Sequence, residues 1–478
     1  MFTGEDLLVV YSKLWENPVY LPLAVGAIVI PVLIIFLILR IVFLFYLDNL
    51  QSKFKATIKH IVLAVDIPKN NEQNLAAVEQ IYVNLTAIKS SPNWIEKYFQ
   101  GKGPLSISLE LVSIDGYIQF LIRTPERYRD LISNSIYSQY PEAEIVQVND
   151  YVDMIPANIG DRDCPMQLWG TEFVLDKPSA YPLKSYKHFE HQPSESFNDP
   201  LTPLLEAYSR MGPGESAGLQ IILTPLGDSW KKGGGDEIKK LFGAVITSAH
   251  PTDKYLKPFF DFFYNLSTFL LSVVGLQLKL LAKVEPKIKT MTELTPGERL
   301  VLERIQEKLA LPSFSTTMRY FYLAKREVYN RNRGVDSIKG AMSQFGQSNL
   351  NSFSMHGMSR TDVDYYFVEQ RVRPKIKSLA SYYKARSRGG ATEFFLSTEE
   401  LATIYHFPTI DVKTPMLPKS MIKKSQPPTI LPTILEETSA PTIPTVENYT
   451  NNDTSVSDIK REDLYNIINS LPGYDFTN

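Results

Sequence analysis

The chain opens with an apolar block. Residues 17–39 carry no charge, and after Arg40 the run IVFLFYL continues to Asp48. About 20 apolar residues cross a ~30 Å hydrocarbon core, so Leu21–Leu47 is long enough to span a bilayer with tilt. Pro31 marks a kink position inside it, and Arg40 can snorkel from one end. A cleaved leader fits poorly: the preceding flank holds Glu5, Asp6 and Glu16 against Lys13. A buried core helix is the competing reading, disfavoured by length. Beyond the block the pattern changes. IVLAVDI (61–67) reads as a strand, and Leu75, Val78, Tyr82, Leu85 and Ile88 share one helical face. LSISLEL (105–111) alternates, Asp115-Gly116 signals a hairpin, and YIQFLIR (117–123) returns. Thr124-Pro125 predicts a helix start, Tyr128 to Tyr140 repeat at helical spacing, and EIVQVND closes the series. The order is β-α-β-β-α-β, a ferredoxin-like arrangement.

A similar order follows. EFVLDK (172–177) predicts a strand, Thr202-Pro203 a short helix, and GLQIILTP (218–225) a strand. STTMRYFYLAK (315–325) is a further strand, VDSIKGAMSQFG a helix and NLNSFSM a last strand. The fold class is therefore α+β: one transmembrane helix (21–47), then two ferredoxin-like units, 55–152 and 165–411. The second unit carries a helical insertion at 226–312, and a disordered tail follows. The two units share no sequence repeat; the duplication rests on element order.

Within the insertion, Thr295 and Glu298 predict a capping box. Residues 255–283 form a long apolar stretch with Phe259, Phe263, Phe269, Leu270 and Val273 on its wide apolar side. Asp261, Asn265, Thr268, Ser272 and Lys279 form a narrow polar stripe. An interfacial or partner-bound helix, a buried helix and a second span all remain open. Residues 361–388 collect Arg371, Arg373, Lys375, Lys377, Lys384, Arg386 and Arg388, interleaved with tyrosines. They read either as an anionic-partner surface or as the solvated side of a helix whose aromatics pack inward. Pro374 predicts a bend or break. Ser397 and Glu400 form another capping box. Residues 412–457, rich in Pro, Thr and Ser, read as a disordered linker. Beyond it, 458–472 predicts a short amphipathic helix with Leu464, Ile467, Ile468 and Leu471 on one face, suited to docking a partner.

Composition narrows the function. The 478 residues carry a formal net charge of −2, which excludes a uniformly basic nucleic-acid coat. One cysteine, Cys164, excludes an intramolecular disulfide framework and multi-cysteine metal centres. There is no GxxxxGK[ST] phosphate loop or HExxH helix. Gly233-Gly234-Gly235 reads as a break in structure. No residue is singled out as catalytic, cofactor-binding or metal-ligating. Arg40, Lys53, Lys55 and Lys59 follow the span while Lys13 stands alone before it. The positive-inside rule then puts residues 1–20 outside and the bulk of the chain in the cytoplasm.

Four blocks carry a family resemblance: LELVSIDGYIQFLIRTPERYRDLISNSIYSQYPEAEI (109–145), AGLQIILTPLGDSWKKGG (217–234), residues 293–345, and GGATEFFLSTEELATIYHFPT (389–409). In this order they resemble the N-terminal, non-ATPase region of bacterial conjugative coupling proteins of type IV secretion-like systems, the TraG/HerA-like kind. In that family a RecA-like ATPase follows; here a proline-containing linker follows the HFPT stretch. The resemblance implies a non-catalytic accessory component at the inner membrane, with membrane lipid, a separate ATPase or copies of itself as partners, and no cofactor or small-molecule substrate. A membrane-tethered nucleic-acid-binding module using 371–388 is the alternative expectation.

Overall fold

A computed structural model describes residues 20–68, 73–188, 199–242, 291–388 and 393–408. All lie in one compact unit, Met1–Ser425. The protein is α+β, with a long N-terminal apolar helix and one nine-stranded antiparallel sheet.

Helix α1 (Tyr20–Ala56) runs unbroken through Pro31. From Ile34 to Tyr46 its large apolar side chains are exposed. It is long and apolar enough to cross a membrane, and no residue from Ile34 to Ala56 is buried. A core helix would hide such side chains.

The sheet comes from two successive runs of strands and helices. The first is β1 (His60–Asp66), α2 (Leu75–Leu85), α3 (Trp94–Tyr98), β2 (Ile107–Ile114), β3 (Tyr117–Pro125), α4 (Arg129–Tyr137) and β4 (Glu144–Val148). The second is β5 (Met166–Leu175), α5 (Thr202–Ser209), β6 (Glu215–Pro225), α6 (Lys231–Leu241), α7 (Pro296–Ala310), β7 (Ser313–Lys325), α8 (Ser337–Ser343) and β8 (Phe353–Met355). Helix α9 (Val368–Ala385), strand β9 (Phe394–Ser397) and helix α10 (Thr398–Ile404) complete it. The strand order is β4-β1-β3-β2-β6-β7-β5-β8, with β9 paired to the start of β7. The halves join where β2 pairs with β6 over Ile107–Ile114.

Alternation along the strands assigns the two faces. Leu63, Leu109, Leu111, Phe120, Leu219, Ile221, Met318 and Tyr320 belong to the principal core with α2, α4, α5, α8 and α10. On the opposite face, Leu168, Phe321 and Leu323 pack with α9 and with residues 152–164. β6 is buried at every position, as is β7 except at its last residue. Such strands lose the hydrophobic–polar alternation of half-exposed ones.

Local chemistry accounts for most boundaries. Asp115 and Gly116 have φ of +53° and +86°, the left-handed pair of a tight hairpin. Thr295 with Glu298, and Ser397 with Glu400, form complete capping boxes. Thr124 does not start a helix. It pairs with Ile61 inside the sheet, and α4 begins only at Arg129 after a 3-10 turn. The three glycines at 233–235 lie within α6 rather than breaking it. A Cβ on Gly234 would come within 2.4 Å of Leu309, so the glycine lets α6 lie close to α7. Pro374 also sits inside an intact helix, whose turn beyond it is held by buried Ile376, Leu379, Ala380 and Tyr383.

Candidate functional site

Four polar residues cross the middle of the α9-covered face: Glu110 on β2, Gln220 on β6, Arg319 on β7 and Glu172 on β5. Each lies opposite the next in register, and all four are fully buried. Gln220 Nε2 donates to Glu110 Oε1 at 3.2 Å and to the Tyr383 carbonyl at 3.2 Å. Arg319 Nε donates to Glu172 Oε1 at 2.5 Å, and its Nη1 to the Tyr382 carbonyl at 3.4 Å. The last turn of α9 thus accepts bonds from two strands beneath it.

Arg386, just past α9, closes the row. Its Nε and Nη2 donate to the two Glu110 oxygens at 2.9 and 3.1 Å. Its Nη1 and Nη2 reach Asp150 at 2.6 and 2.7 Å. Burial opposes the guanidinium's charge, but Glu110 and Asp150 outweigh it and raise its pKa. Burial and the Arg386 charge lower the pKa of nearby Arg123, while Glu110 and Asp150 oppose them. Three guanidiniums therefore face three carboxylates. Removing one partner from such a buried pair costs about 3–5 kcal/mol, because the other charge is left uncompensated.

α9 approaches closely because two strands carry glycine beneath it. A Cβ on Gly170 would lie 2.4 Å from Leu379 Cδ2, and one on Gly218 would lie 2.5 Å from Tyr383 Oη.

At its Glu172 end the row meets a cleft of about 360 Å³, lined among others by Glu172, His356, Met358, Lys375, Leu379 and Tyr382. Glu172 Oε2 is buried there without a hydrogen-bond partner. The Glu172 amide donates to Ser359 Oγ at 3.2 Å, and its carbonyl accepts from the His356 amide at 2.8 Å. Lys375 Nζ donates to the carbonyls of Gly357 and Arg360 at 3.2 and 3.1 Å. Burial, then the like charges of Arg371 and Arg360, lower its pKa. The lining of the cleft is mainly apolar. Among the described residues no group of three or more His, Cys, Asp or Glu could hold a metal ion.

Just before α9, Tyr365, Tyr366 and Phe367 are 86%, 83% and 72% exposed, and Met358, which lines the cleft, is 79% exposed. Tyr365 and Phe367 have φ of +74° and +56°, which bulky residues seldom adopt. A family model matches residues 48–420 of this chain. The chain belongs to the DUF8128 family, a domain of unknown function. The matched region takes in both strand runs, the polar row, the cleft and the exposed aromatic loop. A search of curated proteins finds no match.

The seven basic residues of 371–388 have intramolecular partners in this DUF8128 fold. Arg373 pairs with Glu369 at 3.0 Å, Lys377 with Asp161 at 2.7 Å and Arg388 with Glu393 at 3.5 Å. Lys384 donates to the Ile155 carbonyl at 2.5 Å, and Arg371 to the carbonyls of Asp364 and Tyr366 at 3.5 Å. Lys375 and Arg386 are engaged as described above. Arg386 is only 5% exposed and offers no charge to solvent. Leu21, Pro31, Arg40 and Leu47 all lie in α1, with Pro31 exposed and Arg40 and Leu47 half-buried. Phe259, Phe263, Phe269, Leu270 and Val273 lie outside the described residues, as do Leu464, Ile467, Ile468 and Leu471.

Sequence reasoning missed the polar row. Single polar residues in Val/Ile/Leu-rich strands, such as Glu110 in LSISLEL and Gln220 in GLQIIL, are its signal in the sequence. A charge in a strand covered on both faces requires a buried partner.

Proposed function

We propose that this chain is a non-catalytic, membrane-anchored assembly component that docks a protein partner through the aromatic loop beside α9. The observation that carries this reading is the exposure of Tyr365, Tyr366 and Phe367, of which Tyr365 and Phe367 hold left-handed backbone. Left-handed backbone costs about 1–2 kcal/mol per non-glycine residue, and these rings recover little burial within the chain. Clustered exposed aromatics mark contact surfaces.

The anchor in this reading is α1, a single pass through the inner membrane. The excess of basic residues after the span supports a cytoplasmic location for the folded body. The body itself we infer to be two ferredoxin-like units fused edge to edge. The order β4-β1-β3-β2 in the first run, mirrored as β6-β7-β5-β8 in the second, supports this. The resemblance to coupling proteins supports a DNA- or protein-transfer machine as the assembly, with a separate ATPase or a second copy of this chain as the partner. Nucleic-acid binding through 371–388 finds less support, because those cations already have carboxylate or carbonyl partners within the fold.

A photo-crosslinking residue at Tyr366 in the membrane-bound full chain tests the docking. The expected result is a discrete adduct containing an ATPase or a second copy of the chain. Absence of any protein adduct from positions 358, 365 and 366 alike would refute it.

A further inference from the structure

The turn around α3 lies against the last apolar turns of α1. Phe43 and Tyr98 stack with ring centroids 6.1 Å apart, and Trp94 lies 5.8 Å from Tyr98 and 5.5 Å from Phe99. Phe43, Tyr46, Trp94, Tyr98 and Phe99 together line a shallow hollow of about 380 Å³. The cluster nevertheless turns outward. Trp94, Ile95 and Phe99 are 66%, 58% and 61% exposed, in a domain that buries most of its other large apolar side chains.

The turn is built to hold this position. Asn93 and Glu96 form a capping box, and the Lys102 amide donates to the Glu96 carbonyl at 2.9 Å. Gly101 has φ of +67°, and a Cβ there would stand 2.4 Å from the Leu50 carbonyl oxygen. Only glycine allows the chain to pass α1 so closely in that conformation. The contact therefore extends along α1 from Phe43 to Leu50, about 10 Å of helix.

That stretch of α1 has a definite place relative to a bilayer. Leu21–Leu47 measures about 40 Å at 1.5 Å per residue, more than the ~30 Å hydrocarbon core and close to the ~40–45 Å that includes both headgroup layers. Its C-terminal turns then lie in a headgroup layer, the zone where tryptophan and tyrosine concentrate. Lys53 and Lys55, in the last turn of α1, and Lys97 on α3 are exposed and suit lipid phosphates.

We propose that Trp94, Ile95 and Phe99 form a membrane-interface foot: they enter the headgroup layer beside α1 and fix the height and tilt of the sheet domain over the lipid surface. This rests on α1 spanning the membrane. The partner is the bilayer itself, because the exposed rings continue the apolar surface of the anchor.

The test uses the full chain and its Trp94→Phe variant in phosphatidylcholine–phosphatidylglycerol vesicles, with and without bromines near the headgroup end of the acyl chains. Subtracting the variant's emission isolates Trp94. Most of that difference emission should disappear in brominated vesicles, and less should be lost when the bromines lie near the chain ends. Equal Trp94 emission in brominated and plain vesicles overturns the foot. Alkaline carbonate washing of the same vesicles separates the two ideas. A retained but unquenched chain removes the foot alone, whereas a released chain removes both foot and anchor.

Discussion

Arg386 ends α9 with φ of +46°, a position that usually falls to glycine. An arginine is tolerated there because the same backbone turn carries its guanidinium onto Glu110 and Asp150, on the sheet side of the helix. Arg386→Met should therefore lower unfolding stability by about 3–5 kcal/mol. Adding Glu110→Gln should restore part of the loss, since it removes one stranded carboxylate. Denaturant melts of the solubilised chain measure both. Equal stability of wild type and Arg386→Met would show that the row contributes nothing. His60 supplies a pH-dependent counterpart. Burial, then the Arg123 charge, lowers its pKa from 6.5 to about 4, while its Nδ1 stays hydrogen-bonded to the Ile58 carbonyl at 3.0 Å. Between those two values the unfolded chain binds the proton and the folded chain does not. Stability should thus be full above pH 6.5 and fall as the pH drops towards 4. His60→Asn should flatten that part of the stability–pH curve; an unchanged slope would assign it to other groups.

Among the elements, the helices and strands with a clear period were legible in the sequence, as were the Thr295 and Ser397 capping boxes and the Asp115-Gly116 turn. What stayed hidden depends on contacts distant along the chain. Nothing local to Ile107–Ile114 says that its free edge pairs with Glu215–Pro225. β9 is four residues long and pairs only with the start of β7, too short to carry a period. The basic stretch looked like a surface because its carboxylate partners, Asp161, Glu110 and Asp150, come from other segments. Gly233–Gly235 looked like a break because close helix packing against Leu309 cannot be read from the glycines themselves. The same logic gives a prediction for α9. Gly218→Val places carbons where Tyr383 Oη and Phe321 already stand. It should cost about 1–3 kcal/mol by overpacking and speed amide exchange in the last turns of α9. Unchanged exchange there would mean that α9 is not held by this contact.

Among the described residues, Glu110, Glu172, Arg319 and Arg386 pair inside the fold, while clusters of large apolar side chains face outward on α1, at Trp94–Phe99 and at Tyr365–Phe367. The exposed apolar surface suits contact with lipid and protein. This distribution is the physical basis for reading the chain as an anchored assembly component. The role of α1 is the premise on which the rest stands, because an aqueous Ile34–Tyr46 surface would need another cover. Alkaline carbonate extraction of membranes from cells expressing the full chain tests that premise most directly. The account predicts that the protein stays in the pellet and leaves it only with detergent. Recovery of the protein in the carbonate supernatant would contradict it.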